Sequence, residues 1–377
     1  MDGRLLKQTE IGISIYPDFL TLAEIEKEIL KAYLNDYSRI FTSIQLGDLG
    51  FSHAKEGLSE KYLFLFNLCK KYNLSCHADI NNRVFNKLGL NLNDLSELKR
   101  LGISVLRLDG GFNNEEIAQL TLNKDDIKIE DNTSMVIGAK ERLEVIKTKG
   151  NLNNYMACHN FFPRNDTGLS LKDALEMGKI YQEYGCKNGI FITSQVNKPH
   201  LNETGIGVPT IERHRYMPAI LAFEELRAYN LFDIIFFGDS CSDNEQVKLV
   251  GSANKRGYIE LPIWFYPNVS TFQRRRILST DCLSRPDQAE SILRITQTRT
   301  IKKIPKQNIY VRNRYSVTMD NYSSNRYQGE IGIMLRDMEA SPIANVIGYI
   351  PYFAQYIIEP LKYSNVRFKF VDYSNCL

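Results

Sequence analysis

Four carboxylates, Asp79, Asp109, Glu130 and Asp239, stand at or near the ends of short apolar runs. Paired carboxylates suit glycoside hydrolysis, where one protonates the leaving oxygen and the other attacks the sugar or activates water. A strand-end Asp can also cap the following helix or pair with a nearby Arg, and each one taken singly is open to that explanation. Asp79, Asp109 and Asp239 all being structural is the weaker account. Arg83, Arg107, Arg164 and Arg215 fall in the same stretches, and a forked guanidinium matches phosphate or carboxylate, so their clustering points to an anionic substrate. The segment ACHNFFPRNDTGLS, from Ala157 to Ser170, places His159, Asn160 and Arg164 in one connection, with Phe161 and Phe162 between them. Those two rings and Tyr16 could stack on a sugar face or simply pack a core.

Other chemistries have less support. The five His (His53, His77, His159, His200, His214) form no H-x-H and no H-E-x-x-H, so no metal and no cofactor is expected. Schiff-base chemistry needs a lysine at the site, and only Lys128 and Lys198 are near enough in sequence. An aldolase or lyase is the alternative enzyme, and a sugar-phosphate binding or regulatory protein the alternative without chemistry.

These residues must be held by a scaffold, and the scaffold is legible. Eight strand-like runs begin near Glu10, Arg39, Leu74, Ser104, Asp126, Asn154, Gly189 and Asp233, and amphipathic helical stretches separate them. Thr21 with Glu24 and Ser242 with Glu245 fit reciprocal helix caps, and Ser170 caps a helix that Gly185 ends. Eight β/α repeats in roughly 255 residues predict an α/β fold of the (β/α)8 barrel type, whose active site lies at the C-terminal ends of the strands. No G-x-G-x-x-G turn follows the first strand, so a dinucleotide fold gains nothing. Beyond about Gly257 the rhythm changes to short strands divided by turns, with a helix expected at Pro286 to Ile295. The expected domains are therefore residues 1–257, a catalytic barrel, and 258–377, a smaller β domain.

With 377 residues, 43% of them hydrophobic, the chain can bury a large core. Its 47 basic and 44 acidic residues nearly cancel, which argues against nucleic acid as a partner. No stretch approaches the length of a membrane span and no signal-peptide pattern opens the chain, so a cytoplasmic protein without a membrane partner is expected. Seven scattered Cys suggest reduced, buried thiols. Oligomeric state is not specified.

The runs GISIYP, RIFTSIQL, NRVFNKLG, LRLDGGF, ACHNFFPRNDTGLS, VPTIERHR and FFGDS resemble the 6-phospho-N-acetylmuramidases of the MupG type, glycoside hydrolase family 170. Later in the chain YSVTMDN, NRYQGEIGI and NVIGYI continue the resemblance. It implies a (β/α)8 barrel followed by a cyclophilin-like β domain. It also implies cytoplasmic cleavage of a phosphorylated amino-sugar disaccharide, 6-phospho-N-acetylmuramic acid joined to N-acetylglucosamine, in peptidoglycan recycling. Matching motifs put Asp79, Arg107, Asp109, Asn132, His159, Asn160, Arg164, Glu212, His214, Arg215 and Asp239 at the barrel mouth. The expected roles are Asp109 and Asp239 as the principal carboxylates, with Asp79 or Glu130 as substitutes. His159 and Asn160 would bind sugar groups, and Arg164 with Arg107 the phosphate or the lactyl carboxylate. One departure stands out: where the family reads Glu-Gly-Leu-Pro-Thr, this chain has Ile206-Gly207-Val208-Pro209-Thr210, without the carboxylate.

Overall fold

The computed structural model describes residues 6, 8–45, 58–134, 138–195, 206–287 and 289–373. Lys198, His53, His200 and Cys376 lie outside the described residues. The chain divides into two compact units, one of Thr9–Phe223 with Leu231–Asn254, the other of Lys255–Leu377 with Met1–Gln8 and Glu224–Asn230.

The first unit is built on strands β1 (Glu10–Ser14), β2 (Arg39–Ser43), β3 (Ser75–Asn81), β4 (Val105–Gly110), β5 (Lys128–Asn132), β6 (Tyr155–Cys158), β7 (Lys187–Ile192) and β8 (Ile234–Ser240). Each pairs in parallel with the next, and β8 pairs with β1, which closes the barrel. Apolar residues recur on both faces of these strands because one face meets the barrel interior and the other the helices. Inside, Tyr16, Phe41, Val105, Met156, Cys158, Phe191, Ile234 and Phe236 form one buried cluster. Phe191 and Phe236 stack with ring centroids 5.3 Å apart, and Phe41 meets Phe191 edge-on at 5.1 Å.

The helices start where their caps dictate. Thr21 accepts from the Glu24 amide while the Glu24 carboxylate accepts from that of Thr21, opening the helix Leu22–Leu34. Ser170 caps Leu171–Glu183, and Gly185 follows that helix with a φ of 71°. The cap expected at Ser242 belongs instead to its neighbour: Asp243 accepts from the Gln246 amide, and the Ser242 hydroxyl donates to the Asp239 carbonyl.

The second unit holds β9 (Ile259–Phe265), β10 (Ile292–Ile295), β11 (Ser316–Asp320), β12 (Ile331–Met334), β13 (Ala344–Tyr349) and β14 (Phe368–Asp372) in the sheet order β10-β12-β11-β13-β9-β14. Every pairing is antiparallel except that of β9 with β14. Among the described residues of 286–295 no helix forms; Ile292–Ile295 is a strand, and a helix lies earlier at Thr271–Leu278. Ser270 and Gln273 make a reciprocal cap there, the signal that locates it. Among the described residues no helix is long and apolar enough to cross a membrane.

Candidate active site

Strand alternation decides which side chains enter the barrel. Residues two apart share a face, so His77 and Asp79 on β3, Arg107 and Asp109 on β4, and Glu130 and Asn132 on β5 all face inward. Register aligns them: Ser43 pairs with Asp79, Asp79 with Arg107, and Arg107 with Glu130. Asp131, between two inward residues, instead pairs outward with Arg142 and accepts from the Tyr155 hydroxyl at 3.1 Å.

At the mouth, Arg107 is the hub. Its guanidinium donates to Asp79 at 2.5 Å, reaches Asp109 at 3.4 Å and donates to Asn160. Gln45, at the end of β2, donates through Nε2 to both Asp79 and Asp109, at 2.8 Å each. Ser43 donates to Asp79 at 2.9 Å, and Asn132 to Asp109 at 3.4 Å. Gln45 and Ser43 were not singled out in the sequence, although they continue the alternation begun by Phe41. Asp79 and Arg107 are buried, whereas the Asp109 side chain is 33% exposed, the more accessible of the two carboxylates.

Below the mouth an ionic column continues through the interior. Glu130 lies under Arg107, with its Oε1 3.8 Å from Nε, beyond hydrogen-bond length. Its other oxygen is 2.8 Å from Nδ1 of His77, whose Nε2 lies 2.7 Å from Arg39. A guanidinium can only donate, so Nε2 must accept; His77 is therefore neutral and donates from Nδ1 to Glu130. Burial pushes the His77 pKa down, in the same sense. Arg39 then pairs with Glu10, and Glu10 with Lys187 at 2.5 Å, at the N-terminal end of the barrel.

The same surroundings tune the acids. Burial raises the Asp79 carboxyl to about 6, against the opposing pull of Arg107 and with help from the Asp109 charge. Burial would raise Glu130 too, but His77, Arg107 and Arg39 outweigh it and hold Glu130 below its ordinary value.

The other expected residues lie apart from this cluster. Asp239 is buried and accepts from the Thr193 hydroxyl at 2.9 Å, the Ser194 amide at 2.5 Å and the Val208 amide at 3.2 Å. It latches the segment after β7 and shares no hydrogen bond or ion pair with Asp109 among the described residues. Glu212 takes Arg215 at 2.6 Å and the Asp166 and Gly168 amides, and Arg215 also donates to the carbonyls of Gly207, Phe162 and Arg164. This pair clamps the β6 and β7 connections together, and it holds Ile206-Gly207-Val208 in place where the family motif departs. His214 is buried beside the clamp. His159, expected at the sugar, points away from the mouth: it follows the outward Ala157 by two positions and packs against Phe232 at 6.1 Å. It is 0% exposed, its ring nitrogens have no hydrogen-bond partner among the described residues, and burial lowers its pKa to about 3. Arg164 is exposed on the rim loop. Lys128 opens β5 at the far end of the barrel and donates to the Asn153 carbonyl at 3.1 Å, so it offers no Schiff-base nitrogen to the mouth.

Phe161, half-buried, rests on Tyr16, Phe41 and Phe191 with centroids 6.2, 5.8 and 5.2 Å away. A closed parallel barrel with polar side chains gathered at the C-terminal ends of its strands is the (β/α)8 architecture of many enzymes, and two neighbouring carboxylates there suit glycoside hydrolysis. The sequence agrees: residues 11–252 match the profile described as 6-phospho-N-acetylmuramidase, N-terminal, and residues 259–371 match 6-phospho-N-acetylmuramidase, C-terminal. The chain belongs to the 6-phospho-N-acetylmuramidase family. An uncharacterized B. cereus protein of known crystal structure is 26% identical, with a TM-score of 0.84 over 97% of this chain and 100% of that one. A conserved Enterococcus faecalis protein of unknown function is 24% identical, with a TM-score of 0.68 over 97% of each chain. Among curated protein sequences no match is found.

Proposed function

We propose that the protein hydrolyses a 6-phosphorylated N-acetylmuramyl disaccharide to 6-phospho-N-acetylmuramic acid and N-acetylglucosamine, with Asp79 as the acid and Asp109 as the nucleophile. The observation that carries this reading is the facing of the two carboxyls across shared donors. Two oxygens each 2.8 Å from one Gln45 nitrogen are closer together than the roughly 6.5 to 9.5 Å an inverting pair leaves for water. The spacing therefore favours retention. Asp79, whose raised pKa lets it carry a proton at mildly acidic pH, gives that proton to the glycosidic oxygen as the bond to C1 breaks. Asp109 forms the new bond to C1; water, deprotonated by Asp79, then releases the sugar and restores both groups. Arg107 and Asn132 hold the Asp109 carboxylate in line, and Phe161 offers a half-buried ring to a sugar face.

Arg107 is occupied beneath the carboxylates, so the 6-phosphate falls to the exposed Arg164. Intracellular recycling of cell-wall sugars is the setting that such a substrate implies, and the second sheet is read as the cyclophilin-like appendage of the family.

Incubation with phosphorylated and unphosphorylated muramyl disaccharides, with released N-acetylglucosamine measured and the product anomer followed by NMR, tests the proposal. Hydrolysis of the phosphorylated form with retained configuration is expected; equal turnover of both forms, or inversion, overturns the corresponding part. Arg164→Met should raise KM for the phosphorylated substrate about tenfold or more, the order of one charge-assisted contact, and leave kcat nearly unchanged.

A further inference from the structure

The second unit carries a cavity of its own, about 320 Å³, built wholly from residues between Ile292 and Ala344. Its floor follows from strand register. Arg294 on β10 pairs with Gly332 on β12, and Gly332 with Thr318 on β11, so the three form one row across the sheet. Asp320, two residues beyond Thr318, and Glu330, two before Gly332, lie on that same face. Gly332 opens the space between the flanking side chains: a Cβ there would stand 2.8 Å from Ile292 and 3.0 Å from Thr318.

The polar groups around this floor are oriented but not used up. Glu330 receives Arg294 at 2.6 Å on one oxygen and Arg299 at 2.8 Å on the other, which fixes the Arg294 fork through Nε alone. Arg312 is likewise anchored through Nε, to the Glu339 carbonyl at 2.8 Å. The terminal nitrogens of both guanidiniums make no hydrogen bond among the described residues. Asp320 accepts from Ser324 at 2.6 Å through one oxygen, and the other oxygen is likewise without a hydrogen bond. Two donor forks and one acceptor thus meet over a floor edged by Ile292 and Ile343.

We infer that this cavity is a second binding site, for a hydroxylated anion of about monosaccharide size, its carboxylate or phosphate on Arg294 and Arg312 and a hydroxyl donated to Asp320. The guanidinium forks match either oxyanion bidentately. A volume near the lower bound of roughly 300 Å³ for small-molecule pockets matches one sugar ring. The single acceptor beside two donors selects a ligand that brings its own O–H rather than a bare inorganic anion.

Isoleucine-methyl NMR of the full chain reads the site directly, because Ile292 and Ile343 line it. Titration with N-acetylmuramic acid or N-acetylglucosamine 6-phosphate should shift these methyls, and neutral N-acetylglucosamine should not. A response to only one of the two anions would identify the favoured oxyanion. Arg312→Met and, independently, Asp320→Asn should each weaken the titration about tenfold. Unshifted methyls with both anions at millimolar concentration, equal shifts with the neutral sugar, or affinity unchanged in both folded variants would overturn the assignment.

Discussion

In the proposed mechanism Asp79 is the residue where burial bears on catalysis. Its carboxyl, raised to about 6 from an ordinary 3.8, holds a proton at mildly acidic pH that an exposed aspartate would have lost. The protonated form is the active one, so kcat/KM should fall about tenfold per pH unit above 6, and the free enzyme's profile should show this limb. Asp79→Asn should abolish turnover by about a thousandfold or more, while a substrate with an activated leaving group, which needs no proton, should recover much of the first step. The same shift acts on folding: because the folded-state pKa is raised, stability is lost as pH rises from about 4 to 6 and is flat above. Sequence identified Asp79 and Asp109 as acids at strand ends but ranked Asp239 with Asp109. The residue type is visible in sequence; which neighbour donates to it is not, and the Ser194 and Val208 amides that occupy Asp239 come from a segment far from it in the chain.

The connection after β7 works as a latch. Gly207 has a φ of 94°, and a Cβ there would lie 1.9 Å from the Thr193 hydroxyl and 2.9 Å from Asp239. Gly207→Ala must therefore move the latch, and a several-fold loss of kcat/KM with a lowered Tm is expected, the reverse of the usual gain from replacing a glycine. Asp239→Ala leaves two buried amides and the Thr193 and Ser194 hydroxyls without their acceptor, and should cost about 3 kcal/mol or more in urea unfolding. Strands were readable as elements because β-branched and aromatic runs recur at even spacing. The helix Thr271–Leu278 escaped because its apolar stripe is thin, though its Ser-x-x-Gln cap was in plain sight. Ile292–Ile295 was read as helix because four residues are too few to separate the two periods.

At the scale of the molecule, the barrel interior combines an aromatic layer with a column of charge. Phe236 lies edge-on to His77 at 5.1 Å, and Phe41 lies under the Arg107 guanidinium at 5.7 Å, so aromatic rings flank the column. Alternation alone predicts that His77, Arg107 and Glu130 face inward; only the register between strands shows that they touch. Glu130→Gln would remove a buried negative charge 3.8 Å from the Arg107 guanidinium, and about 3 to 5 kcal/mol of destabilisation is expected in denaturant titration, with the Asp79 limb of the pH profile displaced as well. The column, from Lys187 and Glu10 to Asp79, alternates in sign around a neutral His77, and each interior member answers for two neighbours. Neighbouring links are thus coupled, and Glu130→Gln combined with Arg39→Met should cost less than the two single changes added together. The barrel floor, remote from the mouth, is in this sense one electrostatic unit with Asp79.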